Sequence, residues 1–461
     1  MAEIATFRKN KIELTEYDCS KDIHNRVLMA KFSPLDVEIL EEILYSSLRI
    51  PVSVLQKNLD IEETALSPTL DRLTKTGLFK VVADHVLVDK EMRKYYELQI
   101  LKFEEDFKPG MEYLQGLLRK VPIHVLPNWY SISRTSNNIF ESIVEKHLAT
   151  PLIFQRYLME LNLSDPVQKG ILNAVYQSPN YEVDAADMIK KFDLSQAEFE
   201  EHMLFLEFSF ACCIKFVREK KSFKQIISPF HEWQEYLCHV RDTEPASIID
   251  EEKVQRVKES DFALVEEMSA ILELAKNKPI TKAIIPSLLK QYPEFDEEEF
   301  SYYVEKLCAL NLADQERQQT VCTSDSLAWL KMDLTDRALY LYRHPLNYLE
   351  DPDLPEELCQ HRMLREAEKC LSRTVNTGWV FLDDFIKAIF IPLKEEHMIK
   401  LVRQGRTWKY QLPEYSEKEI SFFKAVIQNW LFELGITALG TVARRECFTL
   451  TPFGQGLFGD D

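Results

Sequence analysis

Four consecutive stretches decide the fold: LDVEILEEILYSSL at 35–48, VSVLQKNL at 52–59, EETALSPTLDRLTKT at 62–76 and FKVVADHVLV at 79–88. The first carries apolar residues at helical spacing and reads as an amphipathic helix. The second is a short helix, and the third is a helix stopped by Gly77, the residue that most readily leaves the right-handed conformation. Pro68 lies inside that third stretch, so the helix either spans 62–76 or starts near the proline. The fourth alternates as a pair of strands. Helix, short helix, polar turn, helix and β-hairpin is the order of a winged helix, a helix-turn-helix with an appended wing. Such modules bind DNA or proteins and seldom do chemistry.

The same order recurs about four times. Ser164-Asp165-Pro166 opens a second copy, a capping residue ahead of a first-turn proline. Its helices are read at 167–176, 185–192 and 196–208, with Asp193-Leu194-Ser195 as the turn. Its wing strands, 212–217 and 223–227, flank Arg218-Glu219-Lys220-Lys221. The third copy is read at 262–276, 282–291 and 296–311, with Pro293 in the turn, a short polar wing at 313–323 and an aromatic helix at 327–342. The fourth begins a short helix at 378–385 and has its major helix at 416–434, ended by Gly435. Its wing pairs 436–442 with 447–451 across Ala443-Arg444-Arg445-Glu446. Between these copies, 90–118 reads as a long helical stretch, 121–130 as an extended Pro-bounded segment and 131–138 as a polar loop. Residues 139–161 read as helix, 241–260 as a charged linker or exposed helix, and 347–357 as an acidic loop.

The expected fold class is mainly α with small β-hairpins, a tandem array of about four winged-helix (helix-turn-helix plus wing) domains. The expected division is 1–118 for the first winged helix with a trailing helix, and 119–164 for a helical connector with an aromatic loop. The second winged helix follows at 165–240, a charged linker at 241–260, the third winged helix with its aromatic helix at 261–346, and the fourth at 347–461.

Composition fits a folded, acidic chain. Of 461 residues, 46% are hydrophobic, enough for real cores, and only 11 are glycine, which disfavours Gly-rich phosphate loops. The nine cysteines have no regular spacing and mostly sit in apolar runs, so they read as free thiols in a reducing compartment. No signal peptide and no membrane-length apolar run are visible, and a cytoplasmic protein is expected. The net charge of −19 counts against a broad nucleic-acid surface, because phosphate neutralisation needs a basic face.

The C-terminal third resembles a known family. Leu327-Ala328-Trp329-Leu330 with Asp336-Arg337-Ala338-Leu339 is similar to a helix of bacterial helicase-associated winged-helix proteins, which are related to the N-terminal region of XPB/Ssl2-type helicases. Gly378-Trp379-Val380 with Asp383-Asp384 resembles that family's final module. So does Leu434-Gly435-Ile436 with Phe448-Thr449-Leu450-Thr451-Pro452-Phe453-Gly454. The resemblance spans roughly 327–458 and implies a DNA-transaction or transcription setting. It implies no helicase activity, since the chain has no motor.

Catalytic signatures are missing: no G-x-x-x-x-G-K-[ST], G-x-G-x-x-G, H-E-x-x-H or G-x-S-x-G occurs. Adjacent Cys212 and Cys213 lack C-x-x-C spacing, and His231, Cys238 and His239 lie on an aromatic helix that reads as packing. Asp296-Glu297-Glu298-Glu299 reads as a charged helix start. No enzyme, catalytic residue, cofactor, metal, membrane contact or small-molecule substrate is expected.

Binding surfaces remain. Third helices of copies two and three carry Glu198, Glu200, Glu201 and Glu207, and Asp296, Glu297, Glu298, Glu299 and Glu305, charges that would face and repel phosphates, so neither is expected to read DNA. The first copy's third helix is near neutral, with Arg72 and Lys75. Candidate nucleic-acid contacts are Arg72, Lys75, Lys220, Lys221, Arg403, Arg406, Lys409, Arg444 and Arg445, through local basic wings, although the stretch around Arg406 and Lys409 reads more simply as a solvated hairpin tip. The aromatic loop Trp129, Tyr130, Arg134, Asn137 and Asn138 reads equally as a protein contact or as a linker packed between the first two domains. The leading function is a non-enzymatic adaptor scaffolding a DNA-linked or transcription-related complex mainly through protein contacts. The alternative is a DNA-binding regulator using the first and last winged helices.

Overall fold

Ser33 and Asp36 fix where the first copy begins. The Ser33 hydroxyl accepts from the Asp36 amide while the Asp36 carboxylate accepts from the Ser33 amide, a capping box that starts α2 (Pro34–Tyr45) with proline in its first turn. The structure, a computed structural model, describes residues 12–161, 163–281, 285–286, 297–316, 319–405 and 407–459. α1 (Cys19–Met29) precedes α2, and β1 (Arg49–Pro51), α3 (Val52–Leu59) and α4 (Glu63–Leu73) follow it. α4 starts well before Pro68, as the 62–76 reading has it, so the proline sits within the helix. Gly77, left-handed at φ +69, ends the turn after α4. The hairpin of β2 (Phe79–Val82) and β3 (His85–Val88) then closes an antiparallel sheet in the order β1-β3-β2.

The connector is more broken than its sequence suggested. α5 (Lys90–Gln99) stops before α6 (Met111–Leu118), with Gly110 at the new helix start. The segment at 121–130, expected to be extended, turns inward and forms the short helix α7 (Leu126–Trp129). The helix expected over 139–161 divides into α8 (Ile139–Ile143), a π-type turn and α9 (Pro151–Glu160), because Thr150 caps a fresh start ahead of Pro151.

The element order then returns with α10 (Pro166–Gln177), β4 (Val183–Asp184), α11 (Ala185–Phe192), α12 (Gln196–Phe208), β5 (Cys213–Arg218) and β6 (Phe223–Ser228), in sheet order β4-β6-β5. α13 (His231–Asp242) leads out of it. The stretch 241–260 does not run free: β7 (Gln255–Arg256) pairs with a strand of the fourth sheet, and Ser247 bridges to Val380. Next come α14 (Ala263–Asn277), β8 (Ile280–Thr281), α15 (Glu297–Ala309), β9 (Ala313–Glu316) and β10 (Gln319–Cys322), in order β8-β10-β9. The helix expected at 282–291 lies outside the described residues apart from 285–286, as do Pro293 and Asp296. The aromatic helix of 327–342 is two helices, α16 (Ser324–Trp329) and α17 (Leu334–Arg343), the second capped by Asp333.

The last copy comprises α18 (His361–Glu368), β11 (Val380–Phe381) and α19 (Leu382–Lys387), followed by a detached hairpin of β12 (Lys400–Gln404) and β13 (Thr407–Gln411). α20 (Glu417–Ala425), opened by a Ser416–Glu419 capping box, then runs through a π-type turn into α21 (Leu431–Glu433). β14 (Thr437–Val442), β15 (Arg445–Leu450) and α22 (Pro452–Phe458) finish it, in sheet order β11-β15-β14-β7. The chain is thus mainly helical with small antiparallel sheets.

It divides into two compact units: residues 1–239 with 399–411, and residues 240–398 with 412–461. The first unit has two apolar cores. One is shared by the first two copies, with Leu40, Ile43, Leu66, Phe199, Met203 and Ile227 buried together. The other is aromatic, built from Trp129, Phe154, Trp233 and the hairpin residues Leu401 and Tyr410. Each such side chain contributes roughly 1.5–3 kcal/mol of transfer free energy when fully buried. Cys212 and Cys213 point to opposite sides, one into each core, and both are free thiols. In the second unit, one continuous core runs through Leu272, Phe300, Trp329, Phe422, Trp430 and Phe448.

Candidate interaction surfaces

A helix can enter a groove or dock on a partner only through a face that its own fold leaves open, and the third helices differ in this. α4 buries Leu66, Thr69, Leu70 and Leu73 and exposes Thr64, Ser67, Pro68, Asp71 and Arg72, with Lys75 just beyond it. Arg72 is not free: it pairs with Asp36, the buried carboxylate of the α2 capping box. The adjoining hairpin exposes Val81, Val82 and Leu87, an apolar rather than a basic wing.

α12 is more fully covered, with Ala197, Glu198 and Glu201 exposed near its start. Phe199, Glu200, Met203, Leu204, Leu206, Glu207 and Phe208 are all buried, so apolar contacts surround it on more than one side. Glu200 and Glu207, read from sequence as exposed repulsive charges, are only 1% and 0% exposed. Their partner is Arg26 of α1, itself 2% exposed: its Nε donates to Glu200 at 2.8 Å and its Nη1 to Glu207 at 2.8 Å. Glu207 also accepts from Lys102 Nζ at 3.2 Å, the Tyr113 hydroxyl at 3.3 Å and the Ile214 amide at 3.3 Å. Asp22 extends the cluster, accepting from Lys120 at 3.1 Å and from the Tyr95 hydroxyl at 2.6 Å. Arg26, Lys102 and Lys120 balance Glu200, Glu207 and Asp22, so the buried set is neutral. Burial works to raise the Glu207 carboxyl, but Arg26 and Lys102 outweigh it and hold the group down to about 2. Lys102 goes the other way, pushed down to about 8, since burial outweighs its share of a carboxylate that also serves Arg26. The cluster is structural: it fastens α1 and the α5–α6 connection onto α12.

α15 keeps the acidic face expected of it among its described residues, with Glu297, Glu298, Ser301, Tyr302 and Glu305 exposed. α20 buries Glu419, Phe422, Phe423 and Ala425, leaving chiefly Glu417, Lys418 and Ser421 at the surface.

The basic residues named from sequence lie on separate elements. Lys220 and Lys221 are exposed at the β5–β6 tip, flanked by cations already engaged: Arg218 with Glu38 at 3.2 Å and Lys224 with Asp184 at 2.9 Å. Arg444 is exposed at φ +69 in the β14–β15 turn. Its neighbour Arg445 pairs with Asp384 at 3.0 Å and lies 3.8 Å over the Phe381 ring. Arg403 and Lys409 are exposed on the β12–β13 hairpin, and Arg406 lies outside the described residues. That hairpin is anchored: Tyr410 donates its hydroxyl to the Leu148 carbonyl at 2.9 Å, and the Leu401 amide donates to Ala149 at 2.8 Å. Trp408 meets Phe140 edge to face, with ring centroids 6.1 Å apart.

In the aromatic loop the two rings are packed rather than displayed. Trp129 and Tyr130 are fully buried, Trp129 donating to Glu16 and Tyr130 to the Phe208 carbonyl, so neither presents a ring to a partner. Asn138 caps α8 by accepting from the Glu141 amide and is exposed, as are Arg134 and Asn137.

Sequence reading missed one concavity. Tyr302 and Glu305 of α15 face Leu346, Asn347, Tyr348 and Glu350 across a cavity of about 180 Å³. Its only sequence signals were the acidic 347–357 loop and the carboxylates of α15, and nothing in one dimension joined them. Among the described residues no three His, Cys, Asp or Glu side chains gather as metal ligands, and no helix is long and apolar enough to cross a membrane. No protein-family model matches the chain, and no curated protein matches it.

Proposed function

We propose that the chain is a non-enzymatic adaptor whose repeated units are winged helices, in a tandem array of about four, scaffolding a DNA-linked or transcription-related complex mainly through protein contacts. The observation that carries this reading is the state of the third helices. α12 is mostly covered and exposes Glu198 and Glu201, α15 presents carboxylates, and α20 is largely buried. Phosphate repulsion and steric cover both disfavour groove insertion by these helices. The apolar rim of the β2–β3 hairpin suits a protein partner better than a polyanion. The C-terminal resemblance to helicase-associated proteins supports the DNA-linked setting.

A second reading, a DNA-binding regulator working through the first and last modules, is favoured by the open polar face of α4 with Lys75 and by the free tips Lys220, Lys221 and Arg444. Titration of the full chain with labelled double- and single-stranded DNA separates the two. The adaptor reading expects no micromolar affinity at ~50 mM salt and no response to Lys220→Glu/Lys221→Glu or Arg444→Glu/Arg445→Glu. Affinity that falls steeply with salt and disappears in those variants favours the regulator instead.

A further inference from the structure

The cavity beside α15 has chemistry that neither reading uses. Its walls combine two tyrosine rings, Tyr302 and Tyr348, with the aliphatic Leu346, all three partly exposed. Glu305 and Glu350 contribute carboxylates, and Glu297 and Glu298 continue the same sign along the exposed face of α15. Lys306 also lines the cavity, but its ammonium is paired with Glu433, which accepts from the Tyr302 hydroxyl as well. At the wall sits Asn347, 1% exposed. Its Nδ2 donates to the Leu341 carbonyl at 3.0 Å, while its Oδ1 has no hydrogen-bond partner. A buried acceptor left unpaired has lost its hydration without replacement, so a donor arriving there is rewarded.

The volume, about 180 Å³, is below the roughly 300–1,000 Å³ of small-molecule pockets and suits a single side chain. A cation with several donors and a flat face fits all the walls at once: carboxylates on two sides, an unpaired carbonyl oxygen, and rings to stack on. We propose that this cavity receives an arginine side chain from a basic segment of a partner protein. Further basic residues of that segment lie along Glu297 and Glu298, and an aliphatic residue packs on Leu346. The proposal rests on the adaptor reading and names the partner's chemistry. Nucleic acid is excluded from the same face by charge.

The test is fluorescence anisotropy of the full chain with a labelled peptide alternating arginine and leucine, against the same peptide with lysine or glutamate in place of arginine. The arginine peptide is expected to bind, the lysine peptide to bind more weakly for want of stacking, and the glutamate peptide not to bind. Glu305→Gln/Glu350→Gln, both at the surface, is expected to weaken the arginine peptide at least tenfold with the thermal melt unchanged. Tyr348→Ala is expected to erase the arginine preference over lysine. No binding of the arginine peptide, or equal binding by the wild type and the Glu305→Gln/Glu350→Gln variant, overturns the proposal. So does loss confined to a Glu297→Gln/Glu298→Gln variant, which would mean attraction to acidic surface alone. These results leave the adaptor reading intact as long as the DNA titration stays negative, so the two failures are distinguishable.

Discussion

Glu207→Gln is the sharpest perturbation of the first unit. The substitution keeps the shape of the side chain and removes its charge, leaving Arg26 and Lys102 buried with Glu200 as the remaining carboxylate of the pair on α12. Glu207 accepts from four different residues, Arg26, Lys102, Tyr113 and Ile214, and an amide has one oxygen to offer them. Removing one partner of a buried ion pair costs ~3–5 kcal/mol, a large fraction of the ~5–15 kcal/mol that holds a typical domain. Hydrogen exchange read peptide by peptide through a urea series follows each unit separately. Protection of α1 and α12 is expected to fall by that amount, with the second unit unchanged. A loss under ~1 kcal/mol would refute the reasoning, because it would mean the cluster is hydrated or the cations relax at little cost. The pH dependence follows from the depressed carboxyl. With a folded value of about 2 against 4.5 unfolded, the stabilisation is complete above pH 4.5 and is lost as pH falls from there towards 2. Glu207→Gln is expected to flatten that acid limb.

Three further outcomes are expected. Gly435→Ala should destabilise the second unit by ~1–3 kcal/mol in thermal melts, since the residue sits at φ +71 and a Cβ would lie 2.6 Å from Phe262 Cδ1 and 2.8 Å from the Asp261 carbonyl oxygen. Tyr410→Ala should destabilise the first unit by ~3–5 kcal/mol although it lies far downstream in sequence; an effect confined to the second unit would contradict the assignment of the hairpin. Burial pushes the Glu232 carboxyl up to about 7, so the folded state favours its protonated form. That contribution is complete below pH 4.5 and is lost as pH rises to 7. Glu232→Gln, which keeps an acceptor for the Met111 amide, should remove this slope from a pH–stability curve.

What was legible was local. The short second helix at Val52–Leu59, the Gly77 and Gly435 stops and the hairpins follow from caps, periodicity and turn residues within one copy. What was hidden depended on distant partners. Nothing near Glu200 or Glu207 in sequence says that Arg26 will face them, so carboxylates on a helix were read as surface charge. Sequence leaves Trp129 and Tyr130 open between display and packing, because the residues that bury them, Phe208 and Phe210, lie far downstream. β7 is two residues long and is a strand only because β14 is beside it. The cationic residues were found, but which of them are already paired, as Arg72 and Arg445 are, needed the fold.

The most direct test of the central claim is the affinity of the full chain for labelled duplex DNA between ~50 and ~200 mM salt. Contact mainly through protein predicts no micromolar binding even at the lowest salt. Micromolar or tighter binding that declines steeply with salt and is abolished by Lys220→Glu/Lys221→Glu would contradict it.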